Sequence, residues 1–138
     1  MRVQHDTPTI SDIDHVRLAA IARSGQVPRR FPPSATLLSR ELDRASVRKP
    51  QQVPVTVIRM GSRFAFCDGF TDRVRHGVLV FPGDEVLAND RISILSPLGS
   101  ALIGMSEKQR VRWQSATGQW RMLEILRVDP HQSGRAGE

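Results

Sequence analysis

The reading of this chain turns on Ser96-Pro97-Leu98-Gly99-Ser100-Ala101-Leu102-Ile103-Gly104. Ser96 offers a side-chain oxygen to the free N–H groups of a helix start, and Pro97 has its φ preset for the first helical position. Gly104 tolerates the left-handed backbone that ends a helix. The segment therefore reads as a helix of about two turns. Leu98, Ala101, Leu102 and Ile103 make it apolar enough to plug the concave face of a curved sheet.

The flanks supply that sheet. Arg63–Cys67, Arg73–Phe81 and Arg91–Leu95 are rich in β-branched and aromatic residues and are broken by Gly69, Asp72, Pro82-Gly83 and Asn89-Asp90. Val53–Arg59 is also β-branched, with Pro54 tolerable near a strand start. After the helix, Val111 and Trp113 alternate with Arg110, Arg112 and Gln114, the pattern of a half-buried strand. Ala116-Thr117-Gly118-Gln119 turns it into a closing strand, Trp120–Val128.

Upstream the periodicity is helical. Ser11 can cap a helix reaching about Arg23, with Asp12 and Asp14 at its positive end. Ile13, Val16, Ala20 and Ile21 form the expected apolar face. Pro28, Pro32 and Pro33 break the chain, and a second helix from about Ser34 to Val47 carries Leu37, Leu38, Leu42 and Ala45. At roughly 20 Å each, the two helices make a short antiparallel, coiled-coil-like hairpin that must pack against something. The expected fold class is α+β, an N-terminal helical hairpin followed by an antiparallel sheet wrapped on one short helix. Its divisions are a tail over 1–10, the hairpin over 11–50, the sheet domain over 51–129 and a polar tail over 130–138.

Composition excludes several classes. The 138 residues, 39% apolar and 25% charged, suit a small globular protein. No apolar run approaches the about 20 residues of a membrane span, and no secretory h-region opens the chain, so a cytoplasmic address is expected. A single cysteine, Cys67, excludes an internal disulfide and a Cys-rich zinc site. His5, His15, His76 and His131 are scattered, and neither GxGxxG nor GxxxxGK[ST] occurs. Cys67 with His76 is the sole nucleophile pair to weigh, and a buried core cysteine is the simpler reading. The expectation is no enzyme, no metal, no cofactor and no small-molecule substrate. Trp113 and Trp120 read as hairpin packing rather than a base-stacking platform.

The charge of +6 invites a nucleic-acid reading, yet 18 of the 20 cations are arginine, a bias that raises pI without creating a patch. It is also localised. Over residues 23–49, Arg23, Arg29, Arg30, Arg40, Arg44, Arg48 and Lys49 face only Glu41 and Asp43. Arg29, Arg30, Arg40, Arg44 and Arg48 are the candidate basic surface, suited to an acidic partner or to nucleic acid.

The string Ile92-Ser93-Ile94-Leu95-Ser96-Pro97-Leu98-Gly99-Ser100-Ala101-Leu102-Ile103-Gly104 strongly resembles the C-terminal domain of the GreA/GreB transcript-cleavage factors. The likeness continues through Val111-Arg112-Trp113 and Met122–Val128. Leu38–Ala45 and Met60–Phe64 look like the family's short branch, Rnk, the regulators of nucleoside diphosphate kinase. The resemblance covers roughly residues 8–129. It implies an FKBP-like C-terminal fold and RNA polymerase as partner, docked at the rim of the secondary channel. Ser96, Pro97 and Leu98 correspond to the docking loop.

Departures from the family pattern matter as much. Gre factors carry acids at the tip of a long coiled coil to help hold a metal in the polymerase active site. Here the connector Ser24–Pro33 has no Asp or Glu and shows Arg29-Arg30 instead. A hairpin of about 20 Å is also short for that reach. The resemblance therefore implies a polymerase-binding regulator that competes with Gre-type factors or modulates elongation without cleaving RNA. The alternative is a direct nucleic-acid binder using the basic hairpin. A link to nucleoside diphosphate kinase rests on the name of the branch, and prolyl isomerisation is unsupported in a chain without Tyr.

Overall fold

The structure is a computed structural model and describes residues 7–23, 34–69, 71–115 and 117–129. Strand β1 (Thr9–Ser11) leads into α1 (Asp12–Arg23); α2 (Ser34–Arg44) leads into β2 (Ser46–Arg48). The sheet strands are β3 (Arg63–Asp68), β4 (Val74–Val80) and β5 (Arg91–Ser93), then β6 (Arg110–Gln114) and β7 (Trp120–Val128) after helix α3 (Pro97–Leu102). The connector at 24–33 and the tails at 1–6 and 130–138 lie outside the described residues, and Arg29 and Arg30 with them.

The five-stranded sheet has the order β5-β4-β3-β7-β6. Strand β3 is central because its Phe64 and Phe66 are buried, their rings 5.9 Å apart and tilted by 41°. A register shift between Ala65 and Phe66 leaves Leu126 of β7 as an extra residue, a bulge in that strand. Pairing is antiparallel except for β5, which runs parallel to β4, so the sheet is mixed rather than wholly antiparallel. The chain reverses through a short 3-10 turn (Asp84–Leu87) before β5, which permits this. The β6–β7 hairpin closes through Ser115 and Gln119, with Gly118 at a φ of 91°.

Helix α3 forms as its sequence dictates. The Ser96 hydroxyl oxygen accepts the Gly99 N–H at 3.0 Å and donates to the Ser93 carbonyl at 2.7 Å. Leu98 and Leu102 turn into the core beside Ile94, Leu123 and Ile125. The buried Ser100 hydroxyl donates to the Ile94 carbonyl at 2.9 Å. Gly99 is required by proximity, since a Cβ there would overlap the Ser93 carbonyl oxygen. Gly104 has a φ of 80°, and its carbonyl accepts the Thr9 N–H at 3.1 Å, tying the exit of α3 to β1.

Further expectations are corrected. Residues 53–59 form no strand, only a single bridge from Val57 to Ser106. Helix α2 stops at Arg44, and Ser46–Arg48 instead pairs in parallel with Thr9–Ser11, so residues 9 and 10 are strand rather than tail. On α1 the buried residue is Leu18, with Ala19, Ile21 and Ala22 partly buried, while Ile13 and Val16 are 57% and 70% exposed. Of the expected face Ile13, Val16, Ala20 and Ile21, Ile21 does pack on the core; Leu18, Ile21 and Ala22 keep the same three-and-four spacing, and packing selects that face. Cys67 is half-buried rather than a core residue. The core itself is continuous: Leu18, Leu38 and Leu42 from the helices join Phe64, Leu79 and Leu102 of the sheet layer. Among the described residues no helix is long and apolar enough to cross a membrane.

Candidate functional site

The helix α2 lies across α3 and the β6–β7 hairpin, leaving a groove of about 380 Å³ between them. One wall is α2, which contributes Leu37, Arg40, Glu41 and Arg44; the floor is Pro97, Ser100 and Ala101 of α3. The far wall is the hairpin, with Arg112, Trp113, Gln114 and Trp120. The residue register explains that wall. Gln114 faces Trp120 across the ladder, so Arg112, two residues earlier, stands diagonal to the indole on the same side. Its guanidinium lies 4.4 Å from the Trp120 ring centroid, a cation–π contact on a ring that is 57% exposed.

Electrostatics on the α2 wall are set by burial. Arg44 approaches Glu41 at 3.8 Å, one helical turn away. Burial pushes the Glu41 carboxyl above its ordinary value, and the nearby Arg44 charge only partly offsets this. The helix is held in place by Leu38 and Leu42, both buried, and by a contact of 3.0 Å between His15 Nε2 and the Leu42 carbonyl.

The residues singled out from sequence divide accordingly. Pro97 is half-buried on the groove floor, with Arg40 and Arg44 opposite. Ser96 has its hydroxyl committed in both directions within the cap. Leu98 is 9% exposed and belongs to the core. Arg48 sits exposed on β2, its Nε donating to the Ser46 hydroxyl at 3.2 Å, away from the groove lining. Sequence reasoning missed Leu37, Glu41 and Arg112 as lining residues, and treated the tryptophans as packing alone. The alternation of β6 was the available signal, because it assigns Arg112 and Gln114 to one face.

Cys67 pairs with Val74 across the ladder, whereas His76 pairs with Ala65. The thiol faces the Asp72 carboxylate at 3.9 Å, and desolvation followed by the charges of Asp72, Glu124 and Asp68 holds its pKa above the ordinary value. That keeps it a protonated thiol, the reverse of an activated nucleophile. Among the described residues no group of His, Cys, Asp or Glu is placed to hold a metal ion.

The fold and the groove together define a mixed α+β protein, a pair of packed helices on a five-stranded sheet with a capped helix at its centre and a Trp- and Arg-lined recess. The family model of the GreA/GreB transcription elongation factor C-terminal domain matches residues 51–130. The regulator of nucleoside diphosphate kinase of Escherichia coli K12 is 33% identical over 106 residues, covering 77% of each chain, and that of Shigella flexneri matches equally. A solved structure of a prokaryotic GreA/GreB elongation factor from Nitrosomonas europaea superposes with a TM-score of 0.71 at 30% identity. The match covers 90% of this chain and 98% of that one. The chain belongs to the GreA/GreB family.

Proposed function

We propose that this chain is a non-catalytic transcription regulator that docks on RNA polymerase near the secondary channel, through the Pro97 side of the groove. It would present a short antiparallel helical hairpin from an FKBP-like domain. The observation that carries this reading is the convergence of Pro97, Arg40 and Arg44 on one recess edged by an exposed tryptophan. Trp and Arg are the residue types that dominate docking energetics when a partner desolvates them. Family membership supports the transcriptional setting, and the absence of Asp and Glu from Ser24–Pro33 supports regulation without transcript cleavage.

A pull-down with core RNA polymerase tests it. Wild type is retained, while Pro97→Ala and Trp120→Ala each lower retention without lowering thermal stability by a matching amount. Failure of the wild-type chain to be retained ends the proposal. The second reading, direct binding of nucleic acid, is favoured by Arg40 and Arg44 lying beside an exposed indole. It calls for a gel shift that weakens steeply between two salt concentrations. Docking on polymerase through Pro97 calls for no such shift on naked DNA or RNA.

A further inference from the structure

A second, larger concavity of about 660 Å³ opens between α1 and the strands β3 to β5. The proposed docking function does not use it. Arg17, Arg59, Arg63 and Arg91 line it, against two carboxylates, Asp14 and Asp84. Two of these cations are engaged within the chain. Arg63 pairs with Asp90 at 3.1 Å, and Arg17 lies 4.3 Å from the Phe81 ring centroid. Asp14 is also engaged, accepting the Met60 N–H at 3.4 Å.

Arg59 and Arg91 differ. The Nε of each is shielded from solvent and has no hydrogen-bond partner among the described residues. Both are mounted on fixed backbone. The turn carrying Arg59 is closed by its own N–H donating to the Ser62 hydroxyl at 2.8 Å and by Gly61 N–H donating to the Leu79 carbonyl at 2.7 Å. Arg91 opens β5 and pairs with Val78 of β4. Both arginines line the cleft and neither has a carboxylate within ion-pair reach among the described residues, so their charge can be met by an anion seated there.

We propose that this cleft binds a small phosphorylated anion, with Arg59 and Arg91 supplying guanidinium donors from its two walls. A phosphoryl group presents several oxygens, which suits guanidinium donors carried by two separate elements. The cleft exceeds the needs of a bare phosphate and falls within the range of ligand pockets for nucleotide-sized molecules. Ile13, 57% exposed, and the half-buried Phe81 offer an apolar wall for the body of such a ligand.

Calorimetry on the full chain at low salt, with pyrophosphate and with adenosine 5′-diphosphate as probes, tests this. Both bind the unsubstituted chain. Arg59→Gln and Arg91→Gln each weaken binding by about tenfold, the loss of one charge-assisted pair. Arg110→Gln, on exposed β6 away from the cleft lining, leaves it unchanged. Binding of neither probe overturns the proposal. So does equal weakening by Arg110→Gln, which marks diffuse charge, or binding confined to a short RNA or an acidic peptide. Should the cleft variants unfold, amide chemical shifts of the unsubstituted chain with pyrophosphate decide. Changes centred on Arg59, Gly61 and Arg91 support the cleft, and changes centred on Arg40 and Arg44 overturn it.

Discussion

The groove and the cleft are both lined by arginine, and they differ in how that charge is met. In the groove, Arg44 faces Glu41 and Arg112 lies on the Trp120 ring, so two of its three arginines meet carboxylate or aromatic surface. In the cleft, Arg59 and Arg91 have no carboxylate within ion-pair reach among the described residues. A cation already seated on an indole contributes flat, amphipathic area, which suits a protein surface. A cation whose donors lack acceptors selects for an anion. Arginine content alone, and the pI with it, is silent on this distinction; the state of each guanidinium decides it.

The two sites share one joint. Arg91 of the cleft opens β5, Ser93 ends it, and the Ser93 carbonyl abuts Gly99 of α3, whose other side floors the groove. Gly99→Ala would force α3 away from β5 because the clash is with backbone rather than a movable side chain. A cost of about 3 kcal/mol is expected, read as a lowered urea midpoint at unchanged slope. Polymerase retention and anion binding should fall together. A stable Gly99→Ala chain that loses one property and keeps the other would break the idea of a common joint.

How much of this was readable in the sequence depends on how local each feature is. Helix α3 was legible because its cap, first-turn proline and terminal glycine act within a few residues, and all three do so. The β6–β7 hairpin was legible because alternation and turn chemistry agree. The parallel pairings were not: β1, β2 and β5 are three residues each, too short for a periodicity, and their partners are distant in sequence. The same holds for the sites. Pro97, Arg40 and Arg44 could each be named, but their meeting depends on α2 crossing α3. Arg59 and Arg91 carried no signal, since only the β3–β4–β5 arrangement brings them to one cleft.

A smaller effect separates the sites instead of coupling them. Ser96→Ala removes the oxygen that accepts the Gly99 N–H and leaves an orphan donor in the first turn of α3. The loss expected is about 1 kcal/mol, measured by chemical denaturation. Because Ser96 lines neither concavity and its backbone N–H keeps the Ser93 carbonyl at 3.0 Å when the hydroxyl is lost, the first turn should loosen under Pro97 while Arg91 stays paired through β5. Retention on polymerase should weaken and pyrophosphate affinity should hold. Equal loss of both would show that the cap, and not Gly99, supports the cleft.

The smallest effect lies wholly within the groove and is read through pH. Burial raises the Glu41 pKa above 4.5, and Arg44 at 3.8 Å compensates in part. The folded chain thus binds this proton more tightly than the unfolded chain does. The stability it confers is full below the unfolded value and is lost as pH rises through the higher folded one. Glu41→Gln has no such dependence. Thermal melts should therefore find the variant and wild type alike near about pH 4, with the variant gaining as pH approaches neutrality. Arg44→Gln should enlarge that gain, because the charge that offsets desolvation is gone. The opposite slope, with Glu41→Gln the weaker at neutral pH, would mean that attraction to Arg44 outweighs desolvation. The groove wall would then be an ion pair already satisfied on both sides, and the contrast with the cleft would become sharper: one surface closed by its own charges, the other still short of an anion.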